Sequence, residues 1–257
     1  MSAPNHVTLG PLSAEVFEES VLRDKDDFPA SQAWSDEIET LLVFLKKENQ
    51  LGRFTPRLRA RERDAALAEA RAAYFFHLIG FSIREWEPEA VPGIPGDLEV
   101  TLPREPPVFV EVKCPGWQSE VQTGERATRK RQPKYVSGEA GAVDPMEHIV
   151  HSVSKAIPKL EPSRVNLVVT VDDLFTSPLD WPLDVMHSQL AGRLSSTPEY
   201  SSVSAVLILN PVAYAGQPLE YRSMLVQGSG ATLSSAIIAV LDRCGQPVLP
   251  LDPKCGT

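Results

Sequence analysis

Cysteine is scarce in this chain of 257 residues: Cys114, Cys244 and Cys255 are odd in number and form no Cys-x-x-Cys pair. That argues against a disulfide framework and a cysteine zinc site, and it predicts a reducing, cytoplasmic setting. No apolar stretch approaches the length of a membrane span, and the opening residues do not read as a signal peptide. There is no P-loop, no Gly-x-Gly-x-x-Gly, no Gly-x-Ser-x-Gly elbow and no aromatic RNA-binding signature. The histidines show no zinc spacing; His148 and His151 share a helix without an evident third ligand, so surface roles are expected for both. Positive charge is also in short supply, with 25 Lys and Arg against 34 Asp and Glu, a net of −9.

What is present is ordinary in bulk and uneven in distribution. An apolar content of 42% and a charged content of 23% suit a soluble globular protein, long enough for one elaborated domain. Residues 1–50 hold ten acids against four bases, a net of −6, so much of the acidity is confined to that segment. Basic residues then cluster twice, at Arg53, Arg57, Arg59, Arg61 and Arg63, and again at Arg126, Arg129, Lys130, Arg131 and Lys134. Such clusters hold phosphates even on an acidic protein, or else are solvated surface.

Periodicity and punctuation outline the elements. Residues 1–33 are polar and mixed, expected to be partly disordered or to wrap the surface. A helix is predicted from Ser35, as N-cap, to about Asn49, with a break at Gly52–Pro56. A long helix is predicted from about Arg57 to Ile79, stopped by Gly80. Strands are predicted at 81–87, 98–102, 108–113 and 166–171, and a helix from Asp144-Pro145-Met146-Glu147 to about Ile157. On that helix His148, Ser152 and Lys155 share a face. Residues 116–143 form a long polar segment, a length usually functional or disordered. Further on, a helix is predicted at 183–195, strands at 204–209 and 219–226, and a helix at 234–243. These last elements either extend the same sheet or form the surface of a homodimer.

The chemistry concentrates between Asp97 and Lys113. Val108-Phe109-Val110-Glu111-Val112-Lys113 alternates, so a strand sets Phe109, Glu111 and Lys113 on one face and the three valines on the other. The Pro-rich stretch from Pro103 to Pro107 reads as a hairpin turn, and a turn centred near Arg104 sets Asp97 opposite Glu111. Two facing carboxylates repel, and one lysine cannot fully neutralise them. A divalent cation does: Mg²⁺ takes one or two carboxylates together with water and substrate phosphate. Upstream, Ala65–Ile79 carries only Glu69, Arg71 and His77 as polar residues, so the helix is buried almost all round and a carboxylate on it needs a partner.

Pro95-Gly96-Asp97 followed by Glu111-Val112-Lys113 on an apolar strand resembles the signature of the PD-(D/E)XK nuclease superfamily, the restriction-endonuclease-like proteins. The resemblance spans about Arg61 to Asp172. It implies an α/β fold with a restriction-endonuclease-like core: a helix, a three-stranded antiparallel unit, a helix and a strand, giving a mixed central sheet flanked by helices. Here that core would occupy 53–175, with an acidic helical extension at 1–52 and an α/β extension at 176–257.

The resemblance further implies a metal-dependent nuclease acting on DNA in preference to RNA. Asp97 and Glu111 would bind Mg²⁺ or Mn²⁺ with the Val112 carbonyl, and Glu69 would join directly or through water. Lys113 would orient or deprotonate the attacking water. Arg126, Arg129, Lys130, Arg131 and Lys134 are candidates to grip the nucleic-acid backbone, with Lys155 on the scissile phosphate. Glu62 rivals Glu69 as the helical carboxylate. Plainer alternatives are a salt-bridged, exposed edge strand for Glu111 and Lys113, and an ion pair with Arg71 or a neighbouring arginine for Glu69. Cys114 reads as a small buried filler. A non-catalytic nucleic-acid-binding or protein-interaction module on the same fold is the alternative function.

Overall fold

The computed structural model describes residues 8–17, 32–60, 62–114, 145–171, 183–212, 219–242 and 247–248. The chain begins with helices α1 (Pro11–Val16), α2 (Gln32–Lys47), α3 (Leu51–Arg59) and α4 (Arg63–Leu78). Strands β1 (Ser82–Trp86), β2 (Glu89–Val91), β3 (Ile94–Pro95), β4 (Leu98–Thr101) and β5 (Val108–Lys113) follow. Then come α5 (Pro145–Ala156) with a 3₁₀ turn at Ile157–Lys159, and β6 (Asn166–Val171). The remainder is α6 (Leu183–Ser196), β7 (Ala205–Val212), β8 (Glu220–Gln227) and α7 (Ser235–Leu241). No helix among the described residues is long and apolar enough to cross a membrane.

Six strands form one mixed sheet in the order β1-β4-β5-β6-β7-β8, and β2 pairs with β3 as a separate ribbon. β1/β4, β4/β5 and β7/β8 are antiparallel, whereas β5/β6 and β6/β7 are parallel. The C-terminal strands therefore extend the same sheet. Helices cover both faces. Leu41, Leu45, Phe75 and Phe76 of α2 and α4 pack on the side of Val110, Val169 and Leu207. Ile149, Val153, Leu190 and Leu194 of α5 and α6 pack on the side of Phe109, Val168 and Ile208. One apolar cluster joins Leu41, Phe75 and Tyr221, so all three stretches of the chain share a core.

Several sequence expectations change in the fold. α2 starts at Gln32, not beyond Ser35, because tertiary contacts set its start: Gln32 exchanges side-chain bonds with the Thr8 backbone, and Ser35 Oγ donates to the Thr8 carbonyl. The chain reverses at Asn49, whose φ of +58° is a conformation asparagine tolerates, and Gly52–Pro56 is helical instead of broken. The carbonyl facing the Pro56 ring is that of Gly52, the least hindered backbone in the helix. The expected long helix is two helices, interrupted by an extended Ala60. Folding back there packs Phe54 and Leu58 into the core, which a straight helix would leave outside it. Glu147 engages Arg193 of α6.

β5 departs most from its pattern. The alternation suggests one solvated face, yet every residue from Val108 to Val112 is buried. β5 is the third of six strands and has helices on both sides, so the exposed edge-strand alternative for Glu111 falls.

Candidate metal centre at the strand ends

The Pro-Gly-Asp bend is positioned by packing. Gly96 is buried, and a Cβ there would overlap the Phe109 ring. Gly96 N–H donates to the Pro88 carbonyl at 2.8 Å and Glu87 N–H to the Asp97 carbonyl at 3.1 Å, which roots the β2/β3 ribbon beside Asp97. The β4/β5 register pairs Leu98 with Val110, so one step earlier Asp97 stands level with Glu111, as the sequence predicts. The turn between them centres on Arg104, whose φ is +70°.

Asp97, Glu111 and Glu69 line one cleft of about 270 Å³ with Lys113, Lys159 and Arg57. Asp97 Oδ2 accepts the Val112 N–H at 2.6 Å. Glu111 is fully buried; its Oε1 meets Lys113 Nζ at 2.5 Å and Lys159 Nζ at 2.7 Å. Its Oε2 is buried with no hydrogen-bond partner. Glu69, on α4, receives Arg53 at Oε1 (2.5 Å) and Arg57 at Oε2. The fold-back at Ala60 makes this possible by laying α3 over α4.

The electrostatics follow from crowding. Burial, and then the Asp97 charge, push the Glu69 carboxyl up to about 7, against the pull of Arg57 and Arg53. Burial and Asp97 likewise raise the pKa of Glu111, with Lys113 and Lys159 opposing. Burial disfavours the Lys159 charge, but Glu111, Asp97 and Glu69 outweigh it and raise its pKa. These groups therefore feel one another as a single cluster.

Other candidates land elsewhere. Glu62 is exposed at the start of α4, near Arg57 at 3.8 Å, and does not line the cleft. Arg71 ignores Glu69 and pairs with Glu37 instead. Arg59 donates to the Val16 and Glu15 carbonyls and Arg63 to that of Leu58, whereas Arg53 and Arg57 turn to Glu69; Arg61 lies outside the described residues. Arg126, Arg129, Lys130, Arg131 and Lys134 also lie outside them. Lys155 is exposed and does not line the cleft; one turn on, Lys159 does. Sequence reasoning missed Lys159 because the helical periodicity ends at Ala156 and a 3₁₀ turn re-aims the chain. Cys114 is half-buried: it packs against the main apolar core, as a small filler does, and also lines the cleft beside Lys113.

Among the described residues, no group of three or more His, Cys, Asp or Glu side chains is gathered as a ready-made metal cage. Glu69 and Glu111 instead hold cations of the protein itself, and Asp97 accepts the Val112 N–H. No protein-family model matches the chain, and neither a curated protein nor a solved structure matches it.

Proposed function

We propose that the protein is a metal-dependent nuclease of the PD-(D/E)XK kind, hydrolysing phosphodiester bonds in DNA in preference to RNA, in a setting such as defence or restriction. The observation that carries this reading is Glu111: fully buried, with Oε2 unpartnered, in one cleft with Asp97 and Glu69. A buried carboxylate oxygen without a donor is costly unless a cation meets it. Asp97 and Glu111, with the Val112 carbonyl, offer hard oxygen donors, which suit Mg²⁺ or Mn²⁺. When bound, the ion polarises a phosphodiester and acidifies a water. Glu69, whose two oxygens accept from Arg53 and Arg57, would help hold such an ion directly or through water.

Lys113 holds its ammonium at Glu111 Oε1, beside the carboxylates. In this reading it orients or deprotonates the attacking water and offsets charge as the pentavalent phosphorus forms. The basic residues Arg126 to Lys134 follow the cleft-lining Cys114 in sequence and are assigned to the nucleic-acid backbone. A second reading, a non-catalytic nucleic-acid-binding or protein-interaction module, draws on Arg53 and Arg57 engaging both oxygens of Glu69. Incubation with supercoiled plasmid and with single-stranded DNA, in Mg²⁺, Mn²⁺ or EDTA, separates the two. Cleavage is expected with either metal and none in EDTA; no metal-dependent cleavage of either substrate rules out the nuclease.

A further inference from the structure

We infer that Lys159 and Arg57 form an anion subsite, which takes a phosphate group once a divalent cation has drawn Glu111 and Glu69 away from them. This rests on the reading of the cleft as a metal-dependent phosphodiester site. Three carboxylates, Glu69, Asp97 and Glu111, face four cations, Arg53, Arg57, Lys113 and Lys159. Of these, Arg57, Lys113 and Lys159 line the cleft with the three carboxylates, so its formal balance is zero without a metal and two positive charges with a divalent ion. A partly buried surplus of that size is costly until an anion enters. Both lysines meet the same oxygen of Glu111, and one oxygen neutralises at most one of them.

The four cations are not equally free to move. Arg53 is wedged between Phe54 and Trp86, at 5.0 and 5.4 Å from their ring centres, and has Glu87 as a further partner at 3.3 Å. Lys113 is fixed on β5 next to Glu111. Arg57 and Lys159 are more exposed, at 29% and 28% of their side chains. They enter from different layers, Arg57 from α3 and Lys159 from the turn after α5, and both line the cleft. An Arg fork together with an ammonium suits a tetrahedral phosphate, whether diester or terminal monoester. In the structure the same two groups are held by Glu69 and Glu111. Cation and phosphate should therefore bind with positive, reciprocal coupling.

The test is an equilibrium titration of thymidine 5′-monophosphate into the full chain by calorimetry, in EDTA and in saturating Mg²⁺. Wild type is expected to bind about tenfold more tightly in Mg²⁺, within the usual range for coupled sites. Direct metal–phosphate contact gives some of that in any metal site, so the variants decide. Lys159→Gln and Arg57→Gln should each lose most of the gain, and Lys159→Arg should keep it, with thermal melts confirming the fold. If one Gln variant fails to fold, the other is decisive, because the two residues lie on different elements. Wild-type coupling in a folded Gln variant overturns the subsite. Coupling that depends on these residues while plasmid stays uncut with every metal removes the nuclease reading and leaves the subsite standing. Cleavage with unaltered nucleotide binding in the variants does the reverse.

Discussion

Glu37 and Glu111 are both buried acids, yet their surroundings are opposites. Glu37 on α2 takes Arg71 in a two-pronged pair, 2.8 Å at each oxygen, and also accepts the Tyr221 hydroxyl at 2.8 Å. Trp34 covers the guanidinium at 5.0 Å, and burial, with Glu37 beside it, keeps the Tyr221 hydroxyl protonated far above its usual range. The carboxylate and guanidinium are both buried and bonded, tying α2, α4 and β8 together. Glu111 instead shares one oxygen between two lysines, leaves the other unpartnered, and faces two more carboxylates across an open cleft. Burial alone does not distinguish them. Pairing and access do: Glu37 has both oxygens bonded, whereas Glu111 keeps one unpartnered oxygen and lines a cleft.

The largest expected effect tests the Glu37 cluster. Glu37→Ala or Arg71→Met should cost about 3–5 kcal/mol in urea unfolding, since each strands a buried partner. Glu111→Gln should be neutral or stabilising without metal, because its charged form is already disfavoured there. Equal losses at both sites would erase the contrast.

Cleavage should respond the other way. Lys113→Ala and Asp97→Ala are expected to lower plasmid nicking in Mg²⁺ by about 100-fold or more at unchanged melting temperature. Undiminished cleavage by Lys113→Ala would move the activity to another site.

Proton linkage sharpens the comparison further. Glu69 titrates near 7 in the folded protein against 4.5 for an ordinary glutamate, so the fold holds a proton that the unfolded chain has released. The stability this supplies is full below about 4.5 and lost as pH rises through about 7, on the order of 3 kcal/mol. Urea unfolding of the metal-free protein at pH 5 and pH 8 measures it. Glu69→Gln should flatten most of the slope, with the Glu111 contribution of the same sign left over. A stability that rises across this window would mean that Arg53 and Arg57 hold Glu69 ionised.

The smallest effect concerns glycine. Gly96→Ala must displace the Phe109 ring and should cost about 1–3 kcal/mol, with Mg²⁺ affinity falling as Asp97 shifts. Gly52→Ala, with open space at its Cβ inside α3, should instead gain up to about 1 kcal/mol. Thermal melts of the two variants give the comparison directly.

Local pattern alone determined the pairing at the centre of the site. Alternation marks Val108–Lys113 as a strand, the Pro-rich turn sets its centre at Arg104, and the two together bring Asp97 level with Glu111. The apolar stretch around Glu69 likewise announced a buried carboxylate, and Asn166–Val171 appears as the strand its composition predicts. These are short-range regularities, carried by residues a few positions apart. Tertiary structure decided which cations meet which acids. The break at Ala60 turns Arg53 and Arg57 onto Glu69, a 3₁₀ turn delivers Lys159 where helical spacing had pointed to Lys155, and the covering layers bury both faces of β5. Long flexible side chains choose partners by where the backbone folds back, and that choice has no signature in sequence spacing.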